Sequence, residues 1–510
     1  MENSAKGKRY NNLLTLAYKR VIVKLQKTRN GYPKEQETCI QDEREENDMA
    51  TGNVRPFGIR DKMGYLFGDF GNDFTFILSS SFLMKFYTDV MGVPAAAVGV
   101  IMMIARFVDA FTDVTMGRIC DRSKMTPVGK FKPWIRRMCG PVAIASFLMY
   151  QSALADMPMT FKIGYLFVTY ILWGSIFYTS VNIPYGSMAS AISPEASDRQ
   201  SLSTFRSIGG TLAGVIIGAG IPLIAYDQVG DVSVLNGGKF TVAAGVCSVL
   251  AVICYLLCYS LTTERVKPEK TEEEKQVSVG KMLINAVKNR ALISIIVAAI
   301  LMLLAQLTMQ SMANYVYPNF YGNAKASSAA TMVMMVAMFI AAALAKPISN
   351  RIGKAELSVI SSIIAVVVCV VLFIMRPENV WVYVAMITIA YLGLGMFNMV
   401  VWALITDVID YSEIVNGIRE DGSVYALYSF ARKLGQAASA GLSGLLLTAV
   451  GYTEATAFED SVVNGIFNIS TLVPALGFGL LAVVLWFWYP LHKKQVDANI
   501  ETLKKKHGDK

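Results

Sequence analysis

The chain has 510 residues, of which 54% are hydrophobic and 17% charged, and its mean hydropathy is +0.44. Soluble domains carry about 25% charged residues, so this composition excludes an ordinary soluble protein, and it equally excludes a disordered chain or a disulfide scaffold. The net charge of +9 arises from basic residues in tails and in loops between apolar stretches. That placement is typical of a membrane protein and argues against nucleic acid as a partner.

Residues 1–60 are polar and of mixed charge, and we interpret them as a cytoplasmic tail without a signal peptide. Leucines and basic residues alternate between positions 13 and 27, so a basic interfacial helix is an alternative there. Met49 follows a strongly charged stretch and is an alternative start of the chain.

Twelve apolar stretches follow, each at least as long as the roughly 20 residues that a membrane span requires, and several are long enough to tilt in the membrane. They cover residues 64–88, 94–118, 133–155, 161–190, 204–226, 239–261, 287–321, 325–347, 355–375, 379–406, 422–450 and 466–490. The longest polar interruption, residues 262–275, divides them six and six. We therefore predict an all-α integral membrane protein of twelve transmembrane helices in two pseudo-symmetric six-helix bundles, a layout that resembles the major facilitator fold. The predicted domains are the bundles 61–261 and 287–490, the linker 262–286 and a basic tail, 491–510.

Charge predicts the orientation of the chain in the cell membrane. Basic residues are concentrated in the loop between the second and third spans, in the linker and in the C-terminal tail. The loops on the other side offer Lys162, Lys239, Lys325 and Arg376. By the positive-inside rule, both termini are expected to face the cytoplasm.

Ionisable residues inside spans are informative, because each costs about 2.5–3.5 kcal/mol at the centre of a helix. Asp109 and Asp113 are four residues apart in the second span, so they share one face of the helix. Two carboxylates so close need a cation or a proton between them. The alternative is an ion pair with Arg106, which would account for one of the two.

The fourth span offers neutral oxygen atoms to such a cation. Thr179 and Asn182 lie on one helix face, just before Pro184, which frees a backbone carbonyl. Ordinary packing between helices is the alternative interpretation of these two polar residues.

Other charged residues lie in or near the spans. Asp73 lies well inside the first span and Arg206 near the start of the fifth, where snorkelling to the interface is its alternative role. Lys433, in the eleventh span, needs a cavity or a carboxylate partner. Asp407 and Asp410 end the tenth span, and we interpret them as gating or structural residues.

Several motifs in order resemble the glycoside–pentoside–hexuronide:cation symporter family, over residues 57 to 490. They are Gly68-Asp-Phe-Gly-Asn-Asp73-Phe, Arg106-Phe-Val-Asp109-Ala-Phe-Thr-Asp113-Val-Thr-Met-Gly117, Gly129-Lys-Phe-Lys-Pro-Trp134, Asn182-Ile-Pro-Tyr and Asp407-Val-Ile-Asp410-Tyr. The resemblance implies a major facilitator fold and uptake of a glycoside coupled to sodium, lithium or protons.

The resemblance also implies roles for single residues. Asp109, Asp113 and Thr179 match the family's cation site, and Lys433 matches a lysine beside it. Asp73 and Arg206 match sugar-binding positions. In the loop after the second span, the residues that resemble the superfamily's latch on the inner side are Gly117, Asp121, Arg122, Gly129 and Lys130.

Three departures from the family's melibiose carrier concern the substrate. This chain has Asn182 where that carrier has a sugar-binding aspartate, Gly186 where it has a tryptophan and Asn72 where it has a lysine. The pocket loses one carboxylate and one lysine, so its formal charge is unchanged, but the loss of the carboxylate and of the aromatic platform argues against melibiose itself.

The sequence therefore predicts a secondary transporter, not an enzyme, that carries a glycoside or related sugar into the cell with sodium or a proton. A cation-coupled carrier of lysolipids or other amphiphiles is the alternative, and a lateral opening to lipid would distinguish it. We expect no metal beyond a transported Na⁺ and no cofactor, because the two histidines, His492 and His507, lie in the tail and the seven cysteines form no metal-binding pair. The expected partners are sugar, cation and bilayer, with the protein a monomer.

Overall fold

The computed structural model describes residues 55–266, 289–416 and 421–507. The predicted tail up to residue 54, with its alternative helix and alternative start, lies outside the described residues, and so does the linker from 267 to 288. Residues from Phe57 onward form one structural unit.

Helices make up nearly all of the described residues. The twelve long ones are α1 (Ile59–Asp89), α2 (Ala95–Arg122), α3 (Lys132–Leu148), α4 (Met159–Ile192), α5 (Ala196–Ile224), α6 (Gly237–Leu261), α7 (Arg290–Phe320), α8 (Ala324–Ile352), α9 (Lys354–Met375), α10 (Val380–Asn416), α11 (Asp421–Ala449) and α12 (Asp460–Trp488). A further helix, α13 (Lys493–His507), forms in the predicted basic tail, and a hairpin of β1 (Tyr226–Val229) and β2 (Val232–Leu235) joins α5 to α6.

Within the described part of the chain, nine helices are long and apolar enough to cross a membrane. The other three are α1, α3 and α11. Charged and polar residues lower the hydropathy of α1 and α11, and several of them belong to the polar groups between the helices. Helix α3 is shorter than the predicted span 133–155, with 17 residues. It ends at Leu148 because Gln151 adopts an extended backbone and its side-chain amide donates back to the carbonyl of Phe147 at 2.6 Å.

The helices pack as two groups of six. In the first, α1 packs on α5 and α6, and α3 on α6; in the second, α7 packs on α11 and α12, and α9 on α10 and α12. The groups meet where α2 contacts α11 and where α5 contacts α8. We call them the N-terminal half and the C-terminal half.

Small residues let α2 and α11 approach closely. A Cβ atom added at Gly99 would lie 2.8 Å from the carbonyl oxygen of Ala440, and one added at Gly444 would lie 2.9 Å from the Cα atom of Gly99. Nearby, the backbone N–H of Ala96 donates to the Thr448 hydroxyl at 2.9 Å. Backbones this close favour van der Waals packing between helices in a membrane.

A buried lysine joins the two halves where α1 leads into α2. Lys85 is 1% exposed and pairs with Asp89 at 2.6 Å. Its Nζ atom also donates to Asn319 Oδ1 at 2.7 Å and to the Tyr452 hydroxyl at 2.9 Å, both in the C-terminal half. The Tyr452 hydroxyl in turn donates to Asp89 at 2.8 Å. We call these four residues the closed-end cluster and this end the closed end; the opposite end, where α6 leads into the linker, is the linker end.

Candidate functional site

A regular polar arrangement lies between α2 and α4 and consists of two carboxylates and two hydroxyls. Ser175 Oγ donates to Asp109 Oδ1 at 2.5 Å, and Thr179 Oγ1 donates to Asp113 Oδ1 at 2.8 Å. Both pairs are four residues apart on their own helices, so each helix presents them on one face, one turn apart. We call Asp109, Asp113, Ser175 and Thr179 the ladder.

Each carboxylate of the ladder also has a cationic partner. Arg106 Nη1 lies 3.4 Å from Asp109 Oδ2, and its guanidinium stacks on Phe76 with 5.0 Å to the ring centroid. Lys433 Nζ of α11 pairs with Asp113 Oδ2. The ion pair with Arg106, an alternative raised by the sequence, is therefore present, and it accounts for one carboxylate. A lysine from the other half serves the second, so an ion pair joins the halves at the ladder.

A local change in helix geometry places the hydroxyls. The segment Leu172–Tyr178 of α4 is a π-helix, a rare form that is frequent at functional sites. Gly174 lies opposite Asp109, where an added Cβ would stand 3.6 Å from the carboxylate. The Thr179 hydroxyl also reaches the Gly174 carbonyl oxygen at 3.2 Å. The ladder thus has a backbone carbonyl at its side.

The predicted sugar-binding residues gather between α1 and α5. Arg206 Nε pairs with Asp69 Oδ1 at 2.9 Å, and its guanidinium lies 5.3 Å from the centroid of the Tyr185 ring. Gly210 leaves room for two carboxylates, because an added Cβ would lie 2.5 Å from Asp73 and 3.0 Å from Asp69. Asp73 is half-buried and makes no hydrogen bond or ion pair with any residue that the structure describes. Arg206 is thus paired within the protein and does not simply snorkel.

Two of the departures from the melibiose carrier lie in different surroundings. A Cβ added at Gly186 would be 4.0 Å from Arg206 Nη1, so a larger side chain there would reach the guanidinium. Asn182 accepts a hydrogen bond from Asn72 at 3.5 Å, and Asn72 accepts one from the Tyr255 hydroxyl at 2.9 Å. The structure therefore connects Asn182 to α1 and α6 rather than to the ladder, and its expected role in cation binding stays a prediction.

A cavity of about 500 Å³ lies between the halves. Its polar lining includes Arg106, Gln310, Asn314, Gln436, Ser439 and Ser443. Arg106 connects this cavity to the ladder, whereas Asp73 and Arg206 are not among its lining residues; Ile77, one helical turn from Asp73, is. The volume is within the range of pockets that hold small molecules.

Part of the predicted inner latch assembles at the linker end around Glu264, which follows α6. The backbone N–H groups of residues 130, 131 and 132, at the start of α3, donate to its carboxylate at 2.7, 2.9 and 2.8 Å. An anion is stabilised there because the N-terminus of a helix carries partial positive charge. The Lys130 side chain donates to the Asp121 carbonyl at 2.9 Å, and Gly129 has a φ of +118°, a conformation that favours glycine.

The remaining latch residues do not join that group. A Cβ added at Gly117 would meet nothing within 4 Å, and Arg122 is exposed. In the C-terminal half, Lys354 Nζ donates to Asp407 at 2.5 Å, so α9 and α10 are tied together. Asp410 lies three residues further along α10. A gating role for these residues stays a prediction.

The polar residues that carry these arrangements and were not predicted from the sequence are Asp69, Ser175, Glu264 and Lys354. Asp69 and Ser175 each lie four residues before a predicted site residue, on the same helix face, and that spacing was an available signal. Glu264 gave none, since its partners come from a loop more than 100 residues away in sequence.

Comparison with known proteins identifies the family. A family model described as "MFS/sugar transport protein" matches residues 64–493. The chain is 30% identical to an "uncharacterized symporter YjmB" of Bacillus subtilis, over 90% of this chain and 98% of that one. It is 30% identical to a "glucuronide carrier protein homolog" of Escherichia coli, over 85% and 93% of the two chains. It is 29% identical to an "isoprimeverose transporter" of Lactiplantibacillus pentosus, over 86% and 89%.

Solved structures confirm the predicted fold. The crystal structure of a D-xylose–proton symporter has a TM-score of 0.58 at 15% identity, and it covers 85% of this chain and 97% of its own. That of a bacterial homologue of the lysosomal transporter Spinster has a TM-score of 0.62 at 10% identity, covering 86% and 100%. The molecule is a multi-pass membrane transporter with the all-α major facilitator fold, and not an enzyme. It belongs to the MFS sugar transporters of the glycoside–pentoside–hexuronide symporter family.

Proposed function

We propose that this protein carries a glycoside or related sugar into the cell together with a monovalent cation, by alternating access. The observation that supports this most is the ladder with its two cationic partners. It lies next to the cavity between the halves, and one of the partners, Lys433, belongs to the opposite half.

The cation would act by replacing partners at the ladder. Without it, Arg106 and Lys433 compensate the charge of the two aspartates. A cation bound between Asp109 and Asp113 would release Lys433, and with it one tie between the halves. Because binding free energies are linked, a cation that favours the sugar-binding state must itself be bound more tightly when sugar is present.

The sugar would bind in the cavity and at the polar group on α1 and α5. Asp73 has a carboxylate free to accept from sugar hydroxyls, and Arg206 is 41% exposed beside Gly186. A small side chain at Gly186 leaves the Arg206 guanidinium accessible. The similar proteins include a glucuronide carrier homolog and an isoprimeverose transporter, so we propose a sugar, without choosing between a sugar acid and a neutral glycoside.

The orientation follows from charge. The linker end carries the basic loop before α3 and the basic helix α13, so we place it in the cytoplasm with both termini. The closed end then faces the outside. Alternating access requires that the closed-end cluster separates to admit sugar and forms again to release it on the other side.

The test is uptake into proteoliposomes that contain the purified protein. A panel of labelled glycosides, pentosides and hexuronides is offered with an inward sodium gradient, a proton gradient or neither. We expect accumulation of at least one sugar against its gradient, and its loss in Asp113→Asn. Asp231→Asn, which changes an exposed aspartate in the hairpin turn, is the matched control and should transport normally. If folded protein takes up no sugar under either gradient, the proposal is wrong, and a panel of lysolipids would follow.

A further inference from the structure

We propose that Ser175 is a direct ligand of the transported cation, and that it makes the ladder a site for an alkali metal ion and not for a proton alone. This inference rests on the proposed function, because it concerns the same cation site. It adds a residue that neither the sequence motifs nor the family comparison assigned.

Ser175 lies where a ligand is needed. It is 2% exposed, and its hydroxyl points at Asp109 Oδ1 from 2.5 Å. A hydroxyl has one hydrogen and two lone pairs, so it can donate to a carboxylate and offer its oxygen to a cation at the same time. Thr179 has the same relation to Asp113, one turn further along both helices. The two hydroxyls therefore face the two aspartates in matching positions.

The position of Arg106 leaves the hydroxyl oxygen of Ser175 available to a cation. Arg106 approaches Asp109 at Oδ2, the carboxylate oxygen that Ser175 does not use, and its distance of 3.4 Å is long for a charged hydrogen bond. A cation that displaces Arg106 would leave the hydrogen bond between Ser175 and Asp109 in place. The hydroxyl thus holds the carboxylate in one orientation in both the paired and the cation-bound state.

The number of oxygen atoms favours a metal ion. A proton is satisfied by one carboxylate, whereas hard metal cations take several oxygen ligands from carboxylates, carbonyls and hydroxyls. Asp109 and Asp113 provide carboxylates, Ser175 and Thr179 provide hydroxyls, and the carbonyl of Gly174 lies 3.2 Å from the Thr179 hydroxyl. Carbonyls of irregular helix segments coordinate Na⁺ in other transporters, and the π-helical segment of α4 provides such a carbonyl.

A role limited to positioning Asp109 gives different results from a role as ligand. If Ser175 merely orients the carboxylate, its loss should affect every coupling ion alike. If it is a ligand, its loss should lower the affinity for sodium and lithium and leave proton-driven uptake and sugar affinity largely unchanged.

The experiment compares Ser175→Ala with Ser175→Thr, which keeps the hydroxyl, and with Ser187→Ala as the matched control. Ser187 lies on the same helix and bonds the carbonyl of Ile183 at 3.0 Å, four residues earlier. Uptake is measured in proteoliposomes over a series of Na⁺ and Li⁺ concentrations and under a proton gradient. Sodium binding to purified protein is measured separately, as the Na⁺-dependent rise in melting temperature against choline.

We expect Ser175→Ala to raise the Na⁺ concentration for half-maximal uptake about tenfold, the usual effect of losing one polar contact to a charge, while KM for sugar at saturating Na⁺ changes less than twofold. Ser175→Thr should recover most of the sodium affinity, and Ser187→Ala should behave as the parent does. An unchanged Na⁺ concentration for half-maximal uptake in Ser175→Ala would overturn the inference. So would an equal loss of sodium-driven and proton-driven uptake, since that identifies a positioning residue.

The outcome for the unmodified protein separates this inference from the proposed function. Uptake driven by protons, with no response to Na⁺ or Li⁺ in transport or in melting temperature, contradicts the assignment of Ser175 as a metal ligand. It leaves the proposal of cation-coupled symport intact. Uptake that responds to neither gradient contradicts the proposed function itself.

Discussion

Replacing Lys85 by methionine should loosen the closed end. Lys85 contributes two hydrogen bonds between the halves, to Asn319 at 2.7 Å and to Tyr452 at 2.9 Å. Methionine is unbranched and of similar length, so it fills most of the space without restoring either bond. It also leaves Asp89, 16% exposed, without its cation. Each of these changes disfavours the arrangement in which the halves meet at this end.

The expected shift follows from the two lost bonds. Hydrogen bonds to charged groups contribute about 1.5–3 kcal/mol each. Lys85 regains water when the closed end opens, and it can keep its partner Asp89 on the same helix, so about half of the gross value is a reasonable net figure. A net shift of roughly 2 kcal/mol toward opening corresponds to a change of about 30-fold in the equilibrium between the two arrangements.

Thiol labelling measures this equilibrium. A cysteine at Ser80, which lines the cavity, is introduced into a functional protein whose native cysteines have been replaced. An impermeant maleimide is then added from the outside, and its rate of reaction reports how often the closed end opens. The matched control is Lys162→Met, because Lys162 is also buried and donates at 3.0 Å to the carbonyl of Ala155 within its own half.

We expect labelling to be at least tenfold faster in the Lys85→Met protein and within twofold of the parent in the Lys162→Met protein. Equal rates in all three proteins would refute this role for Lys85, because its hydrogen bonds to the other half would then contribute nothing to closure.

Three further substitutions test the ladder, the linker end and the contact between the halves. Asp113→Asn should abolish cation-driven accumulation while some sugar binding remains, and normal accumulation in uptake assays would speak against the ladder as the cation site. Glu264→Gln removes the anion at the start of α3 and should destabilise the protein by about 1 kcal/mol, seen as a lower melting temperature in detergent; an unchanged value would show that the carboxylate is not needed there. Gly444→Val would collide with Gly99 and should block transport by keeping α2 and α11 apart, whereas Gly220→Val, at a position with open space around it, should transport normally.

Much of the architecture could be predicted from the sequence because hydropathy and charge act locally. The twelve apolar stretches correspond to α1–α12. The position of Asp109 and Asp113 on one helix face follows from the helical repeat alone. The third span was predicted to be too long, since hydropathy does not detect the extended backbone at Gln151. The basic tail was predicted from its charge, and its folding as helix α13 was not.

The contacts of the site depend on how the helices are rotated against each other, which a single sequence does not specify. Asp69 and Asp73 lie on the same face of α1, one turn apart, so which of them Arg206 meets depends on the position of α1 along its axis relative to α5. The contact of Ser175 with Asp109 depends on the π-helical segment of α4, which shifts the face that the helix presents to α2. Lys85 lies near the end of its span and gave no sign in the sequence of its contacts with the other half.

The most direct test of cation-coupled sugar symport is equilibrium binding of sugar to the purified protein with and without cation. We predict that Na⁺ or H⁺ raises the affinity for the transported sugar, that sugar raises the affinity for the cation by the same factor, and that Asp113→Asn abolishes both effects. An affinity for sugar that is the same in sodium, lithium and choline and at every pH tested would contradict cation-coupled symport.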